Sequence, residues 1–478
     1  MIDTTALKNR ILTLAMTGQV ANNGKSVKQL FESLCDNAYK IDKNKVSDKN
    51  YDLSELPFEI PDDWKWVWLG DIFQHNTGKA LNASNTDGTS LEYITTSNLY
   101  WDRFELEELK SMFFKDSEIE KCTVKKGDLL ICEGGDIGRA AIWSEDYEMR
   151  IQNHIHRLRP YVDEICVRFY YYVMMYYKNN GLISGRGIGL QGLSSKKLHA
   201  ILVPLPDSET QRLIAEKIDE SFSLIDTIDE LQQQYSSDLE VLKSKIIDAG
   251  IQGKLTEQLP EDGTAEELLR QIADEKKLIK EKKIKAAKAL PEISEDEIPF
   301  EIPSNWKWVK FNDIANIIGT GMIRSGQEQY DEADYYYFKM NNNENFTGKC
   351  DFSNMTMVNA SSEECEKYKL EEGDFLFNTR NSAELVGKTA VVHDLPSENI
   401  LLNNNILKVL FLGNISPDYI NYFFISRSGR RQLEQFITST TNVAAIYQRQ
   451  IITLAIPLPP LAEQRRIVNR VNQIIDQI

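Results

Sequence analysis

The chain has 478 residues, which is too long for one ordinary hydrophobic core and predicts two or three domains. Its 42% hydrophobic and 10% aromatic residues are typical of a soluble globular protein. No apolar run is long enough to span a membrane, and residues 1–18 lack the apolar core of a signal peptide. The net charge of −17 argues against a protein that coats nucleic acid non-specifically, but it leaves room for local basic loops that bind DNA and for basic partners.

The cysteines indicate the redox environment. They are scattered along the chain, and no two form a Cys-x-x-Cys pair. This pattern favours reduced thiols in the cytoplasm over a disulfide framework or a zinc site. The cysteines are Cys35, Cys122, Cys132, Cys166, Cys350 and Cys365.

An N-terminal helix is predicted within residues 1–20. The segment from Leu7 to Gly18, with Ile11 on its apolar side, resembles the segment from Leu242 to Gly253 farther along the chain. The N-terminus therefore carries the end of a repeated helix.

A ten-residue motif follows a polar linker and marks the first of two repeated domains. It runs from Phe58 to Val67 and returns almost unchanged from Phe300 to Val309. Such near-identity is strong evidence for an internal repeat. Its tryptophans are better explained as packing residues than as site residues, because each buries a large apolar area. The two domains are expected at residues 21–206 and 256–459, each with a leading linker.

Each repeated domain is predicted to be rich in β-strands. Short aromatic and β-branched runs are divided by glycine, asparagine and aspartate, which is the pattern of strands and turns. Two further matches support the repeat: Gly127 to Ile131 corresponds to Gly373 to Phe377, and Gln152 to Ile155 corresponds to Asn403 to Ile406. The copies agree in these frames and differ between them, which is the pattern of one scaffold with two specificities.

A long central helix is predicted over residues 207–255. Mostly apolar residues recur at alternating intervals of four and three, which is the heptad pattern of a coiled-coil strand. Such a helix would be roughly 60 Å long and needs a partner along its seam. The seam positions are Ile214, Ile218, Ser221, Ile225, Ile228, Gln232, Tyr235, Leu239, Leu242, Ile246 and Ala249.

The C-terminus, residues 460–478, is predicted to begin a second copy of the same helix. The segment from Pro457 to Arg465 resembles that from Pro204 to Arg212, and Ile467, Val471 and Ile474 continue the seam. The two terminal helices are thus expected to lie end to end as the partner of the central helix, as in a circularly permuted two-unit repeat.

Together these features predict an α+β fold. Two strand-rich domains would be separated by a long helical coiled coil. A lysine-rich stretch, residues 264–288, lies between the central helix and the second domain. It is more typical of a solvated helix face and linker than of a DNA contact.

The sequence lacks the motifs that would indicate an enzyme. It has no phosphate-binding loop, no dinucleotide-binding fingerprint that opens a helix, no nucleophile elbow and no Asn/Asp-Pro-Pro-aromatic run. His154 and His156 would share one face of a strand, but no third ligand is nearby. We therefore expect no catalytic residue, no cofactor and no metal in this chain.

The motifs resemble those of the DNA specificity subunits of type I restriction–modification systems. The resemblance rests on the repeated ten-residue motif, the long helix between the domains and the run from Ile456 to Arg465, and it covers nearly the whole chain. It implies two target-recognition domains that each read one half of a bipartite DNA site. It also implies that the two domains stand in a pseudo-twofold arrangement and that the helices form a long antiparallel coiled coil, which docks two DNA methylation subunits. Methyl transfer would occur in those subunits and ATP-driven cleavage in restriction subunits.

The candidate DNA-binding residues come from polar loops of both predicted recognition domains. Arginine, lysine, asparagine and glutamine read base edges, and basic or hydroxyl side chains bind phosphates. The candidates are Thr96, Asn98, Arg139, Arg186 and Gln191 in the first domain and Lys339, Asn341, Arg380, Asn381, Tyr447 and Gln448 in the second.

Three alternatives remain open. The chain could be a coiled-coil scaffold that reads no DNA, which would suit its acidity. It could be the specificity subunit of a methylation-only or related phage-defence system. A self-contained methyltransferase or nuclease would need the motifs that are missing.

Overall fold

The structure is a computed structural model that describes residues 1–41, 56–82, 84, 86–183, 192–280, 290–439 and 443–478. The chain divides into two compact units, Met1–Gln234 and Tyr235–Ile478. The long central helix, Ser208–Ile251, is shared between them, because its beginning packs in unit 1 and its end packs in unit 2. The central helix therefore contributes residues to the cores of both units.

Unit 1 combines helices with short strands. Its helices are α1 (Thr4–Met16), α2 (Lys28–Ile41), α3 (Leu69–Ile72), α4 (Asp116–Cys122), α5 (Val167–Asn179), α6 (Ser195–His199) and the first part of α7 (Ser208–Ile251). Its strands are β1 (Lys65–Trp68), β2 (Phe73–Thr77), β3 (Thr89–Ile94), β4 (Leu99–Tyr100), β5 (Arg103–Phe104), β6 (Lys110–Phe114), β7 (Thr123–Val124), β8 (Leu129–Cys132), β9 (Ala140–Ile142), β10 (Met149–Ile151), β11 (Ile155–Pro160) and β12 (Leu202–Leu205).

Unit 2 repeats this series. Its further helices are α8 (Ala265–Lys280), α9 (Phe311–Ile314), α10 (Ser362–Tyr368), α11 (Pro417–Ile425), α12 (Arg427–Glu434), α13 (Gln448–Ile451) and α14 (Leu461–Ile475), with 3₁₀ turns at Pro260–Asp262, Glu295–Glu297 and Gly326–Glu328. Its strands are β13 (Lys307–Lys310), β14 (Ala315–Thr320), β15 (Tyr335–Phe338), β16 (Thr356–Val358), β17 (Phe375–Asn378), β18 (Arg380–Asn381), β19 (Thr389–Val391), β20 (Ile400–Leu402), β21 (Ile406–Phe411), β22 (Thr438–Ser439), β23 (Ala444–Ala445) and β24 (Ala455–Leu458).

The sheets confirm the internal repeat. The order β2-β11-β8-β9 in unit 1 becomes β14-β21-β17-β19 in unit 2, and the pair β1-β12 becomes β13-β24. The parallel pair β3 and β10 likewise becomes β15 and β20. Unit 2 also contains a small sheet of order β18-β23-β22. The matched motifs therefore form the same frame twice, as the sequence predicts.

Helix α1 packs antiparallel to α7 within unit 1. Thr4 Oγ1 donates to Asp229 Oδ1 at 2.7 Å, and Lys8 forms an ion pair with Asp226. Residue numbers fall along α7 as they rise along α1. The buried residues Leu12 and Met16 then join the same core as Ile218.

Helix α14 packs on the other end of α7 within unit 2. Gly250 of α7 lies directly against Ile467 and Val471 of α14, because a Cβ atom built on this glycine would lie 3.1 Å from each of them. Each terminal helix therefore contacts its own end of the central helix. Along the seam, Ile214, Ile218, Ile225, Ile246, Ile467 and Val471 are buried; Ile11, Ile228, Leu239 and Ile474 are half-buried; Leu7, Tyr235 and Leu242 are exposed.

Helices α1 and α7 end in the same way on the repeated motif. Gly18 and Gly253 both have positive φ, at 72° and 71°, and each directly faces a proline, Pro61 or Pro303. A glycine at this position ends a helix without the steric cost of a Cβ atom. Each copy of the repeated motif thus packs against the end of a helix. Its tryptophans, Trp64 and Trp306, are buried packing residues. No helix in the described part of the chain is both long and apolar enough to cross a bilayer.

Candidate nucleic-acid interface

The turn from Thr95 to Asn98 follows β3 in unit 1 and holds its own shape. Asn98 Oδ1 accepts from the Thr95 backbone N–H at 2.9 Å, and Asn98 Nδ2 donates to the Glu105 carbonyl at 3.0 Å. Asn98 is thus engaged in the turn, whereas Ser97 is exposed at its tip.

Unit 2 contains the same turn from Lys339 to Asn342. Asn342 Oδ1 accepts from the Lys339 backbone N–H at 3.0 Å, and its Nδ2 donates to the Asp351 and Asn354 carbonyls. The counterpart of Asn98 is therefore the buried Asn342, and Asn341 lies exposed at the position of Ser97. Lys339 Nζ is held by Gln329 Oε1 at 2.9 Å.

Arg139 lies at the base of the unit 1 turn. Its Nη2 donates to the Thr96 carbonyl at 2.6 Å, and its guanidinium lies 5.0 Å from the centre of the Tyr100 ring. Its Nε is buried, and no hydrogen-bond partner is found for it among the described residues. Most of the Arg139 side chain therefore contacts other residues of unit 1.

The unit 2 counterpart of Arg139 is Lys388. Both follow a glycine whose N–H bonds to the end of the preceding strand, Gly138 to Cys132 and Gly387 to Asn378. Lys388 Nζ donates to the Asn343 carbonyl and to Asn345 Oδ1 at 3.1 Å. Burial lowers the pKa of Lys388. Both units thus hold a cation beneath the turn.

Three candidates of unit 2 meet in one open cleft of about 890 Å³: Arg380, Tyr447 and Gln448. They share it with Arg324 and Lys367, which are not among the candidates predicted from the sequence. Arg380, Lys367 and Gln448 are exposed, and Tyr447 is 43% exposed. The cleft brings together a guanidinium, an ammonium, an amide and an aromatic ring, which are the groups that bind phosphates and bases.

The backbone around the cleft fixes these side chains. Arg380 in β18 pairs with Ala445 in β23, and the Ile446 N–H donates to the Thr379 carbonyl at 3.1 Å. Tyr447 then begins α13, and its N–H donates to Gln450 Oε1 at 2.9 Å. Asn381 is half-buried beside Arg380 on the same strand.

The two added cations of the cleft differ in their partners. Arg324 Nη2 donates to both carboxylate oxygens of Glu364 at 3.0 Å. The Ser361 backbone N–H and Arg324 together lower the pKa of Glu364. Lys367 lies 5.1 Å from the Tyr368 ring, and no ion pair is found for Lys367 or Arg380 in the described ranges. The cleft therefore keeps a net positive charge within an acidic chain.

In unit 1, Lys79 binds a glutamate of the short helix α4, as Arg324 in unit 2 binds a glutamate of the short helix α10. Its Nζ donates to Glu118 Oε2 at 2.5 Å and to the Phe113 carbonyl at 2.8 Å. Arg103 is exposed on the hairpin of β4 and β5, with its guanidinium 4.7 Å from the Tyr100 ring. The candidates Arg186 and Gln191 lie outside the described residues.

The family model described as "Type I restriction modification DNA specificity domain" matches the chain twice, at residues 61–235 and 303–478. The chain belongs to this family. Each match begins at the proline on which a helix end is seated, Pro61 or Pro303, and one copy corresponds to each unit. The two units are thus the family's two specificity domains.

Similar proteins are named as specificity subunits. The type I restriction enzyme EcoAI specificity subunit of Escherichia coli is 24% identical, over 98% of this chain and 88% of that protein. The EcoEI specificity subunit of Escherichia coli is 27% identical, over 60% of this chain and 50% of that protein.

Two solved structures share the fold. One, from work on complex assembly and conformational transition of the type I R-M system, has a TM-score of 0.59 at 17% identity and covers 88% of this chain and 92% of its own. The HsdS subunit from Thermoanaerobacter tengcongensis has a TM-score of 0.51 at 16% identity, with coverages of 89% and 92%.

A chain of three histidines distinguishes the first specificity domain from the second. His199 Nε2 lies 2.8 Å from His75 Nδ1, His75 Nε2 lies 2.9 Å from His156 Nδ1, and His156 Nε2 lies 2.6 Å from the Leu193 carbonyl. Burial lowers the pKa of His156. The sequence pair His154 and His156 does not form a site, because His154 points to Glu133 at 3.7 Å.

Proposed function

We propose that this chain reads a bipartite DNA target, with one half-site for each unit. The observation that carries the proposal is the unit 2 cleft, where Arg380, Tyr447 and Gln448 meet Arg324 and Lys367. Net positive charge in one cleft of a chain with a net charge of −17 suits local binding of a nucleic acid rather than general adhesion to it.

Within the cleft, the side chains suit different tasks. Arg380 is exposed on a short strand and carries the planar fork that can bind guanine through two hydrogen bonds. Gln448 offers an amide, which suits adenine. Lys367 suits a phosphate, because an ammonium group is a point charge with no base pattern. Asn341 offers an amide at the tip of the unit 2 turn, and Asn381 offers one beside Arg380 on β18.

In unit 1, we assign the reading role to the exposed side of the Thr95 to Asn98 turn. Thr96 lies in this turn and the exposed Arg103 on the hairpin of β4 and β5 that follows it, whereas Arg139 and Asn98 support the turn from within. Arg186 and Gln191 remain candidate readers.

The same proposal assigns the chemistry to partners. This chain would dock two DNA methylation subunits on its helices, and methyl transfer and ATP-driven cleavage would reside in the methylation and restriction subunits. It would need no cofactor of its own. Its six free cysteines suit a reducing compartment, so we place it in the cytoplasm.

The test is DNA binding by the chain assembled with its methylation subunits, on a duplex that carries a site found by sequencing methylated DNA from the host. Arg380→Ala should weaken discrimination at one base pair by about 1 to 3 kcal/mol. Arg380→Lys is the matched control for charge, and it should not restore discrimination because lysine lacks the fork.

Lys367→Ala provides the contrast. It should weaken binding equally for all sequences. It should also reduce the slope of log affinity against log salt concentration by about one. A scaffold that reads no DNA would give an assembled complex with no preference for the methylated site. That result would refute the proposal.

A further inference from the structure

We infer that Arg168 and Arg430 are positioning residues for the two DNA-reading turns, one in each unit. Neither is a candidate DNA contact. Each holds one backbone position four residues beyond the turn asparagine, Asp102 after Asn98 and Phe346 after Asn342. This inference rests on the proposed reading function and adds how each turn is held in place.

The held position has the same unusual backbone in both units. Asp102 has a φ of 57° and Phe346 a φ of 56°. This left-handed conformation is tolerated by aspartate but is rare for a bulky residue such as phenylalanine. Because two different residue types adopt it at equivalent places, the conformation belongs to the fold and must be held by surrounding contacts.

In unit 1 the contact is an ion pair. Arg168 on α5 pairs with Asp102 through Nη1, and its Nε and Nη2 donate to Asp219 Oδ1 on α7 at 3.1 and 2.6 Å. Its guanidinium lies 4.8 and 4.9 Å from the rings of Tyr171 and Tyr172. Two carboxylates and two rings therefore fix this guanidinium, and through it the hairpin of β4 and β5 is tied to the central helix.

In unit 2 the contact is a stacked cation. The guanidinium of Arg430 on α12 lies 4.0 Å from the centre of the Phe346 ring. Its Nη1 lies 3.4 Å from the Gly387 carbonyl, next to Lys388. Lys388 in turn donates to the Asn343 carbonyl, directly after the reading turn. Arg430 thus holds the same segment by a different chemistry.

The held segment continues directly into the reading turn. In unit 1, the Glu105 N–H donates to the Asn98 carbonyl at 2.9 Å, and Arg139 joins Tyr100 to the Thr96 carbonyl. In unit 2, the Asp351 N–H donates to the Asn342 carbonyl at 2.7 Å. A displaced hairpin would therefore displace the turn, and base readout is sensitive to shifts of this kind.

The experiment uses each variant chain assembled with its methylation subunits in cells, followed by sequencing of all methylated sites. The readout is the degeneracy of each half-site among the methylated sequences. Arg168→Ala should lower the discrimination against other bases in one half-site about tenfold. Arg430→Ala should lower the discrimination in the other half-site by a similar factor. Asp102→Asn keeps a residue that tolerates positive φ and should relax the same half-site as Arg168→Ala.

The ratio between the two half-sites separates positioning from stability. A variant that only folds poorly would lower total methylation but leave the ratio of degeneracy between the two half-sites unchanged. Such a result for these variants would overturn the inference. Unchanged half-sites, or equal relaxation of both, would also overturn it. If Arg168→Ala abolishes methylation, the milder Asp102→Asn decides the matter by the same ratio. Failure of the wild-type complex to methylate one bipartite sequence would instead refute the proposed function.

Discussion

The indole Nε1 of Trp306 donates a 2.8 Å hydrogen bond to Oε2 of the fully buried Glu463. Glu463 lies in the first turn of α14, and Trp306 belongs to the repeated motif. The same carboxylate also accepts from Thr256 Oγ1 and Gln258 Nε2. One buried side chain thus joins the C-terminal helix, the segment that follows α7 and the motif of unit 2.

Loss of this carboxylate should destabilise unit 2. Glu463→Ala leaves the indole N–H without its acceptor and removes an acceptor of Thr256, Gln258 and Asn305, and the cost should be on the order of 3 kcal/mol. The free energy of unfolding in urea measures it. Glu463→Gln keeps one acceptor oxygen and the shape of the side chain, so a loss as large as that of the alanine variant would contradict the role given to the hydrogen bonds.

The end of α7 should not tolerate a side chain. In Gly253→Ala, the new Cβ would lie 2.6 Å from Pro303 Cγ at a φ of 71°. Strain and clash together should lower stability by more than about 1 to 2 kcal/mol. Gly373→Ala is the matched control, because Gly373 has a φ of 84° and nothing within 4 Å of its added Cβ. Equal losses in the two variants would show that the contact with Pro303 does not matter.

Splitting the buried ion pair between β21 and the start of β17 in unit 2 should be costly. Lys408 Nζ lies 2.6 Å from Asp374 Oδ2, and both side chains are at least nine-tenths buried. Lys408→Met leaves a carboxylate without its partner and should cost about 3 to 5 kcal/mol at neutral pH. The double variant Lys408→Met with Asp374→Asn should recover most of this loss in thermal unfolding. If the double variant recovered no stability, the ion pair between Lys408 and Asp374 would not explain the loss.

The histidine chain should make unit 1 sensitive to mild acid. Burial lowers the pKa of His156 below its ordinary value of 6.5, partly opposed by the Leu193 carbonyl. The unfolded chain therefore binds a proton more readily than the folded one, so stability present above pH 6.5 is lost as pH falls below it. Leucine stands at the equivalent position in unit 2, Leu407. His156→Leu should remove this component from the pH dependence of unfolding, and an unchanged profile would contradict it.

The sequence predicts the frame of this fold well, because its signals are local or repeated. The ten-residue motif, the turn-to-strand matches and the heptad of α7 each correspond to observed elements. Strand pairing follows because both copies must bury the same apolar faces.

The sequence predicts the individual site residues less well, because tertiary partners decide what a polar side chain does. Arg139 and Asn98 have the right chemistry for DNA, but Thr96 and Glu105 engage them. Arg324 lies in a stretch with no repeat partner, so no pattern marked it. The histidine chain joins β2, β11 and α6, which are far apart in sequence.

The central claim is that each unit alone determines one half-site. Residues 95–186, which include the unit 1 turn and the Arg139 loop, can be replaced by the matching segment of another specificity subunit of the family. Sequencing of the methylated sites in cells that carry the hybrid then measures the recognised sequence. We predict that one half-site changes, whereas the other half-site and the gap between them remain the same. A change in both half-sites, or in the gap alone, would contradict the claim.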